Sequence, residues 1–101
     1  MFLIRTISIA QPMRRSDAVA LIKEMTTAME KELGHPPSRI LTGSIGVSDS
    51  TIIMESEYET LAKFEQDLDS INSWERMATF GPKYAELFAA GGNRFEVYRI
   101  Q

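Results

Sequence analysis

The chain has 101 residues, of which 44% are hydrophobic and 25% are charged. This is the size and composition of one globular domain, and it argues against a disordered chain. The formal net charge of −3 disfavours a nucleic-acid interface. No apolar run approaches the ~20 residues that span a bilayer, so neither nucleic acid nor a membrane is expected as a partner. The absence of cysteine excludes disulfides, thiolate catalysis and sulfur-ligated metals, and it agrees with a cytoplasmic location. With one histidine, no metal site is expected.

The first third of the chain predicts a strand followed by a long helix. Residues 2–10 are rich in β-branched and apolar types, which favour a strand. Ser16 or Asp17 can cap the helix that follows, and Gly34, with two prolines soon after it, predicts where that helix ends. The apolar residues that recur at the helical period are Ala18, Ile22, Met25, Met29 and Leu33.

A β-hairpin is predicted in the middle of the chain. Residues 39–48 and 51–58 both favour strands, and a short turn at Asp49 and Ser50 separates them. The glycines at 43 and 46 suggest a bulge or a close approach of another backbone segment.

The last part of the chain predicts a helical region in two pieces and a final strand. Residues 60–71 carry an apolar stripe at helical spacing, residues 72–73 interrupt it, and residues 74–88 continue it. The glycine–proline pair at 81–82 is expected to kink or divide the second piece. Residues 94–100 alternate in polarity and predict the last strand.

The element order indicates the fold class. Strand, helix, strand, strand, helix, strand is the β-α-β-β-α-β order of a ferredoxin-like domain. We therefore expect a single α+β domain over residues 1–101, in which a four-stranded antiparallel sheet carries its helices on one face.

One layer of helices cannot cover both faces of that sheet, and the uncovered face is not purely polar. On the first strand, Phe2 and Ile4 point to one face, whereas Leu3, Ile7 and Ile9 point to the other. An exposed apolar patch of this size is unfavourable for a monomer. We expect a homodimer whose sheets pack face to face; the alternative is a partly apolar open surface.

Three segments of the chain resemble dimeric α+β barrel proteins. They are the Glu-Ser-Glu-Tyr-Glu-Thr-Leu-Ala-Lys-Phe run at 55–64, the Ser-Trp pair at 73–74 and the final Arg-Phe-Glu-Val-Tyr-Arg-Ile at 94–100. The chain is most similar to the NIPSNAP-like and antibiotic-biosynthesis-monooxygenase-like branches. The resemblance implies that two ferredoxin-like subunits join their sheets into a barrel, with any pocket between sheet and helices or inside the barrel. It implies no cofactor, because the haem-degrading branch would have an asparagine on the first strand and a histidine on the second long helix, and this chain has neither.

Two carboxylates on the third strand are the first candidates for chemistry. Glu55 and Glu57 lie two residues apart, so they point to the same face. A carboxylate with apolar neighbours is a usable general base, and Glu55 is our candidate catalytic residue, with Arg5 and Glu57 as candidate ligand-binding residues. The alternative is that Glu55 pairs with Arg5, Arg94 or Arg99.

Aromatic residues near the end of the chain are candidates for a ligand pocket. Trp74, Phe80, Tyr84 and Phe88 can wall a pocket for a flat hydrophobic molecule, and Trp74 and Tyr84 are the predicted ligand contacts. The alternative is that the four rings are packing residues.

Two other groups of polar residues carry no predicted site. His35 is expected to be a solvated loop histidine. Glu65, Asp67 and Asp69 are expected to form a solvated acidic helix face, because the calcium-loop pattern lacks its glycine and its final glutamate.

Three functions remain compatible with the sequence. The first is binding of a small aromatic or hydrophobic molecule in an enclosed cavity. The second is cofactor-independent oxygenation of a polycyclic phenol, for which a dry pocket and one base suffice. The third is a structural or interaction subunit whose barrel is filled by its own side chains.

Overall fold

The computed structural model describes all residues from Met1 to Gln101 and contains four strands and three helices. The elements in chain order are β1 (Phe2–Ile9), α1 (Arg15–Leu33), β2 (Arg39–Thr42), β3 (Thr51–Tyr58), α2 (Leu61–Asn72), α3 (Met77–Leu87) and β4 (Arg94–Arg99). The predicted order is confirmed, and so is the α+β ferredoxin-like class. None of the helices is both long and apolar enough to span a bilayer.

The sheet is antiparallel throughout, and its strands lie in the order β2-β3-β1-β4. The register places Thr6 of β1 beside Met54 of β3 and Phe95 of β4. Even-numbered side chains of β1 and β3 point toward the helices, and odd-numbered side chains point to the other face. The predicted hairpin between the second and third strands is confirmed.

The core lies between α1, α3 and the sheet. It consists of 11 buried residues, six of them on α1, because apolar side chains there recur every three or four positions. Gly34 ends α1 in the left-handed conformation with φ 69°, as predicted. Neither Ser16 nor Asp17 caps the helix, which begins at Arg15; instead the Asp17 carboxylate accepts a hydrogen bond from Arg14 Nε at 3.2 Å.

β2 is shorter than the predicted 39–48. It ends at Thr42, and one further backbone hydrogen bond, from the Gly43 N–H to the Thr51 carbonyl at 3.0 Å, joins the chain to β3 before the loop begins. A Cβ atom on Gly43 would lie 1.7 Å from the Ser48 carbonyl oxygen. The predicted close approach is therefore confirmed at Gly43, and the rest of the segment is a loop.

The second helical region breaks at residues 73–76, as the interruption at 72–73 predicts. α2 begins after Thr60, whose Oγ1 accepts a hydrogen bond from the Lys63 N–H at 3.2 Å. α3 is not divided at the glycine–proline pair, since the helix continues through Pro82. A proline inside a helix removes one backbone hydrogen bond, and here α3 is anchored by the buried Phe80 and Leu87.

The two glycines make a matched pair for a stability test. Gly43→Ala is expected to lower the free energy of unfolding by about 2 kcal/mol, because the new methyl group would clash with backbone. Gly81→Ala is expected to lower it by less than Gly43→Ala does, since beyond the adjoining residues no atom lies within 4 Å of an added Cβ, and only the ring of the following Pro82 would crowd it in the helical conformation. Urea unfolding of both variants checks this, and equal midpoints for the two would contradict the Gly43 contact.

Candidate functional site

A cavity of about 300 Å³ lies between the helix-facing side of the sheet and the three helices. Its volume is at the lower end of the usual range for small-molecule pockets. Of the 23 lining residues 13 are hydrophobic, so the wall is chiefly apolar. Four of them are the methionines Met25, Met29, Met54 and Met77. Methionine side chains are flexible and polarisable, and they adapt to ligands of different shape.

One end of the cavity carries a polar group that we call the Asp67 cluster: His35, Tyr58, Lys63, Asp67 and Ser70. The Tyr58 hydroxyl donates to Asp67 Oδ2 at 2.7 Å, and Lys63 Nζ donates to Oδ1 at 2.6 Å. His35 Nε2 lies 3.8 Å from the same Oδ1 and 2.8 Å from Ser70 Oγ. The cluster joins β3, α2 and the loop after α1.

Burial and hydrogen bonds together set the charges in this cluster. Burial opposes ionisation of Asp67, but hydrogen bonds from Lys63 and Tyr58 outweigh it and hold the pKa of the carboxyl below its ordinary value. Burial lowers the pKa of His35, although the Asp67 charge opposes the shift. Burial and the hydrogen bond to Asp67 raise the pKa of Tyr58. At neutral pH the cluster therefore contains an ionised Asp67, a neutral His35 and a protonated Tyr58.

The other end of the cavity carries a second polar group, the Tyr84 cluster: Ser8, Tyr84 and Asn93. The Tyr84 hydroxyl lies 2.5 Å from Asn93 Oδ1 and 2.9 Å from Ser8 Oγ. Tyr58 pairs with Phe2, six residues before Ser8 on β1, so the two ends are separated by roughly 20 Å along the strand. The cavity is thus an apolar chamber with polar groups at both ends.

Only Tyr84 of the five predicted site residues lines this cavity. Trp74 packs outside it, with its ring centroid 5.6 Å from that of Phe80 and the Arg76 guanidinium 5.8 Å from its own centroid. The position of Trp74 agrees with the packing alternative that the sequence left open.

Arg5, Glu55 and Glu57 lie on the face of the sheet away from the helices. Glu55 Oε2 is 3.3 Å from Arg5 Nε, and Glu55 Oε1 accepts a hydrogen bond from Arg39 Nε at 2.9 Å. The ion pair between Glu55 and Arg5, given above as the alternative to a free base, is therefore present. Glu57 is exposed on the same face. Catalytic and ligand-binding roles for these three residues stay predictions.

The Asp67 cluster is not predicted by the sequence patterns described above. His35 was expected to be solvated, but its side chain is only 7% exposed, because it packs against α2 and lines the cavity. Asp67 was expected on a solvated helix face, but it is only 4% exposed. The signal was in the spacing: Asp67 lies three residues after Phe64 and four before Ile71, on the apolar side of α2. No group of three or more acidic or histidine side chains is arranged to hold a metal ion.

Comparison with known proteins bears on the fold. No protein-family model matches the sequence, and no curated protein matches it at the sequence level. A NIPSNAP family protein from Agrobacterium tumefaciens has a similar structure, with a TM-score of 0.83 at 14% identity over 99% of this chain and 92% of that one. An uncharacterised NIPSNAP domain protein from Burkholderia xenovorans matches with a TM-score of 0.78 at 7% identity, over 100% and 95% of the two chains. A putative antibiotic biosynthesis monooxygenase from Nitrosomonas europaea matches with a TM-score of 0.70 at 12% identity, over 98% and 97%.

The chain has the fold of NIPSNAP and antibiotic-biosynthesis-monooxygenase-like proteins. This confirms, at the level of the fold, the resemblance given by the sequence. Similarity at these identities establishes architecture, and function has to be argued from the cavity and its residues.

The lowered pKa of His35 predicts a loss of stability in mild acid. In the unfolded chain the imidazole takes up a proton near pH 6.5, whereas the folded protein resists protonation. The unfolded state then binds more protons, so the free energy of unfolding falls as the pH drops below about 6.5, by at most ~1.4 kcal/mol per pH unit for one group.

Urea unfolding at pH 7.5, 6.5 and 5.5 checks this prediction. His35→Gln can keep the hydrogen bond to Ser70 and does not titrate, so its stability should change less over this interval than that of the wild type. Because the chain has one histidine, the difference between the two curves reports His35 alone. Parallel curves would contradict the burial of the imidazole.

Proposed function

We propose that this protein binds a small, chiefly apolar organic molecule in the cavity between the sheet and the helices. The observation that carries the proposal is the chamber of about 300 Å³, with an apolar wall and a polar cluster at either end. This is the usual design of a ligand site, in which apolar surface supplies affinity and a few polar groups fix orientation. The chamber also favours binding over a purely structural role, for which the side chains would fill the space.

We further propose that two copies pair through the uncovered face of the sheet. Leu41, Ile53 and Ile7 lie side by side across β2, β3 and β1 on that face. Leu41 and Ile53 are half-buried, and Tyr98 on β4 is 46% exposed. Ile7 is already buried in the single chain at 4% exposure, so a second sheet would chiefly cover Leu41, Ile53 and Tyr98. It would also enclose Arg5, Glu55 and Glu57 between the subunits. A cytoplasmic location agrees with the absence of cysteine.

Oxygenation of a polycyclic phenol finds less support. Such a reaction needs a base that faces its substrate, and Glu55 lies on the opposite side of the sheet from the cavity. Glu55 stays a candidate base for a molecule held on its own side of the sheet, where it lines a separate groove together with Arg39 and Glu57. We therefore propose ligand binding without an oxygenation step in the cavity.

Filling the cavity is expected to abolish ligand binding. Thr6 points into the chamber from the middle of β1, so Thr6→Phe places a ring where a ligand would lie. Affinity for a neutral fluorescent probe, N-phenyl-1-naphthylamine, should fall at least tenfold, as measured by fluorescence titration.

The matched control makes the same substitution on an exposed helix face. Thr27→Phe on α1 leaves the cavity unchanged, so probe affinity should equal that of the wild type. Retention of affinity in Thr6→Phe, with an unchanged circular dichroism spectrum, would place the probe elsewhere and refute the cavity as the binding site.

A charge in the middle of the uncovered face is expected to prevent pairing. Ile53→Glu puts a carboxylate beside Ile7 and Leu41, where a second sheet would bury it at a large desolvation cost. Sedimentation equilibrium should find a dimer for the wild type and for Thr27→Glu, and a monomer for Ile53→Glu. A monomeric wild type at micromolar concentration would refute the dimer.

A further inference from the structure

The protons of the Asp67 cluster can be assigned one by one. Ser70 has a single hydroxyl proton, and its Oγ donates that proton to the Asp67 carbonyl oxygen at 2.8 Å. The contact of 2.8 Å between Ser70 Oγ and His35 Nε2 must then be donated by the histidine. Neutral His35 therefore carries its proton on Nε2, and its Nδ1 atom holds a lone pair.

That lone pair has no partner within the protein. The His35 side chain makes its one hydrogen bond through Nε2. Its Nδ1 atom has no protein partner and is not completely enclosed. His35 is among the residues that line the cavity. Nδ1 is thus an acceptor that a bound molecule can use.

At the opposite end of the cavity the two hydroxyl protons are also used internally. The Tyr84 hydroxyl donates to the amide oxygen Oδ1 of Asn93 at 2.5 Å. Ser8 must then donate to the Tyr84 oxygen at 2.9 Å. The hydroxyl groups of both clusters therefore offer a ligand lone pairs, and within the Tyr84 cluster only the Asn93 amide N–H groups remain as donors.

Charge acts in the same direction. Asp67 is ionised, lies 3.8 Å from the His35 ring and has both oxygens engaged, by Tyr58 and Lys63. The Lys63 ammonium neutralises the Asp67 carboxylate, so the cluster has no net positive charge that would favour an anionic ligand. A neutral molecule with an N–H or O–H group would satisfy Nδ1.

We propose that the cavity selects neutral molecules that carry a hydrogen-bond donor, and that His35 Nδ1 is the atom that recognises the donor. This inference rests on the proposed ligand-binding function and adds to it the chemical class of the ligand. In this scheme Ser70 is a positioning residue, because it accepts the proton on Nε2 and so fixes the tautomer.

Three matched probes test the selection by isothermal titration calorimetry. 2-Naphthol has a donor, 2-methoxynaphthalene replaces that donor by a methyl ether, and 2-naphthoate is anionic. The wild type should bind 2-naphthol about tenfold more tightly than the ether, the effect of one hydrogen bond, and 2-naphthoate most weakly.

Variants connect the preference to Nδ1. His35→Phe should bind the ether as the wild type does and lose the preference for 2-naphthol. His35→Asn, whose amide oxygen can lie near the position of Nδ1, should retain part of it. Ser70→Ala should reduce the preference, whereas Ser16→Ala on the surface should not change it.

A spectroscopic measurement on the wild type needs no variant to fold. Because the chain has one histidine, two-bond ¹H–¹⁵N correlation spectra show one imidazole, and they should report the Nε2–H tautomer at pH 7.5. Addition of 2-naphthol should shift the Nδ1 resonance more than the Nε2 resonance.

The outcomes separate this inference from the function on which it rests. Equal affinity for 2-naphthol and its ether, or an Nδ1–H tautomer, would overturn the donor selection and leave ligand binding intact. If none of the three naphthalenes binds, both the ligand-binding function and the donor selection are wrong.

Discussion

The alternation of side chains along β1 and β3 is the constraint on which the rest of this structure depends. Successive residues of a strand point to opposite faces, so each strand divides its residues between two environments. Even-numbered positions such as Ser8 and Thr6 enter the cavity, while odd-numbered positions such as Arg5 and Glu55 enter the ion pairs on the other face. A shift of one residue in register would exchange the two sets, burying charge under the helices and exposing the cavity wall.

Asp67 is the lining residue of the cavity that depends most on its hydrogen-bond partners. A buried carboxylate is stabilised only if hydrogen bonds and opposite charge replace its lost hydration. Tyr58, on β3, and Lys63, one turn earlier on α2, supply both. Because these donors come from different elements, the carboxylate holds α2 against the sheet at one end of the chamber. Burial lowers the pKa of the neighbouring His35, and the charge of Asp67 opposes that shift.

Structural features that follow from the local spacing of residue types could be predicted from the sequence. Features that depend on tertiary contacts could not. The bounds of β3 and the end of α1 at Gly34 follow from residue types within a few positions, and both are confirmed. Residues 43–48 have strand-like composition, yet they form a loop. The loop brings the Ser48 carbonyl into the space that a Cβ atom on residue 43 would occupy, which only a glycine allows. Only the folded chain contains that contact.

The candidate site illustrates the same limit. Tyr84 was predicted to contact a ligand from its place in an aromatic stripe, and it does line the cavity. Glu55 is a candidate because of its chemistry. Strand alternation shows which side chains share a face with Glu55. It does not show whether the helices cover that face or the opposite one. His35 has no local signal, since its burial comes from α2, more than 30 residues farther along the chain.

The charged row on the uncovered face bears on how two copies could meet. Across β2, β3, β1 and β4 the register aligns Arg39, Glu55, Arg5 and Glu96, so charges alternate in sign from one edge of the sheet to the other. A two-fold axis parallel to the strands reverses the order of the strands in the facing copy. Arg39 would then face Glu96 of the second copy, and Glu55 would face Arg5. An axis perpendicular to the strands, along the row, would instead set each charge opposite its own kind. The row therefore favours the first orientation, and it makes a partly charged sheet face compatible with a buried interface.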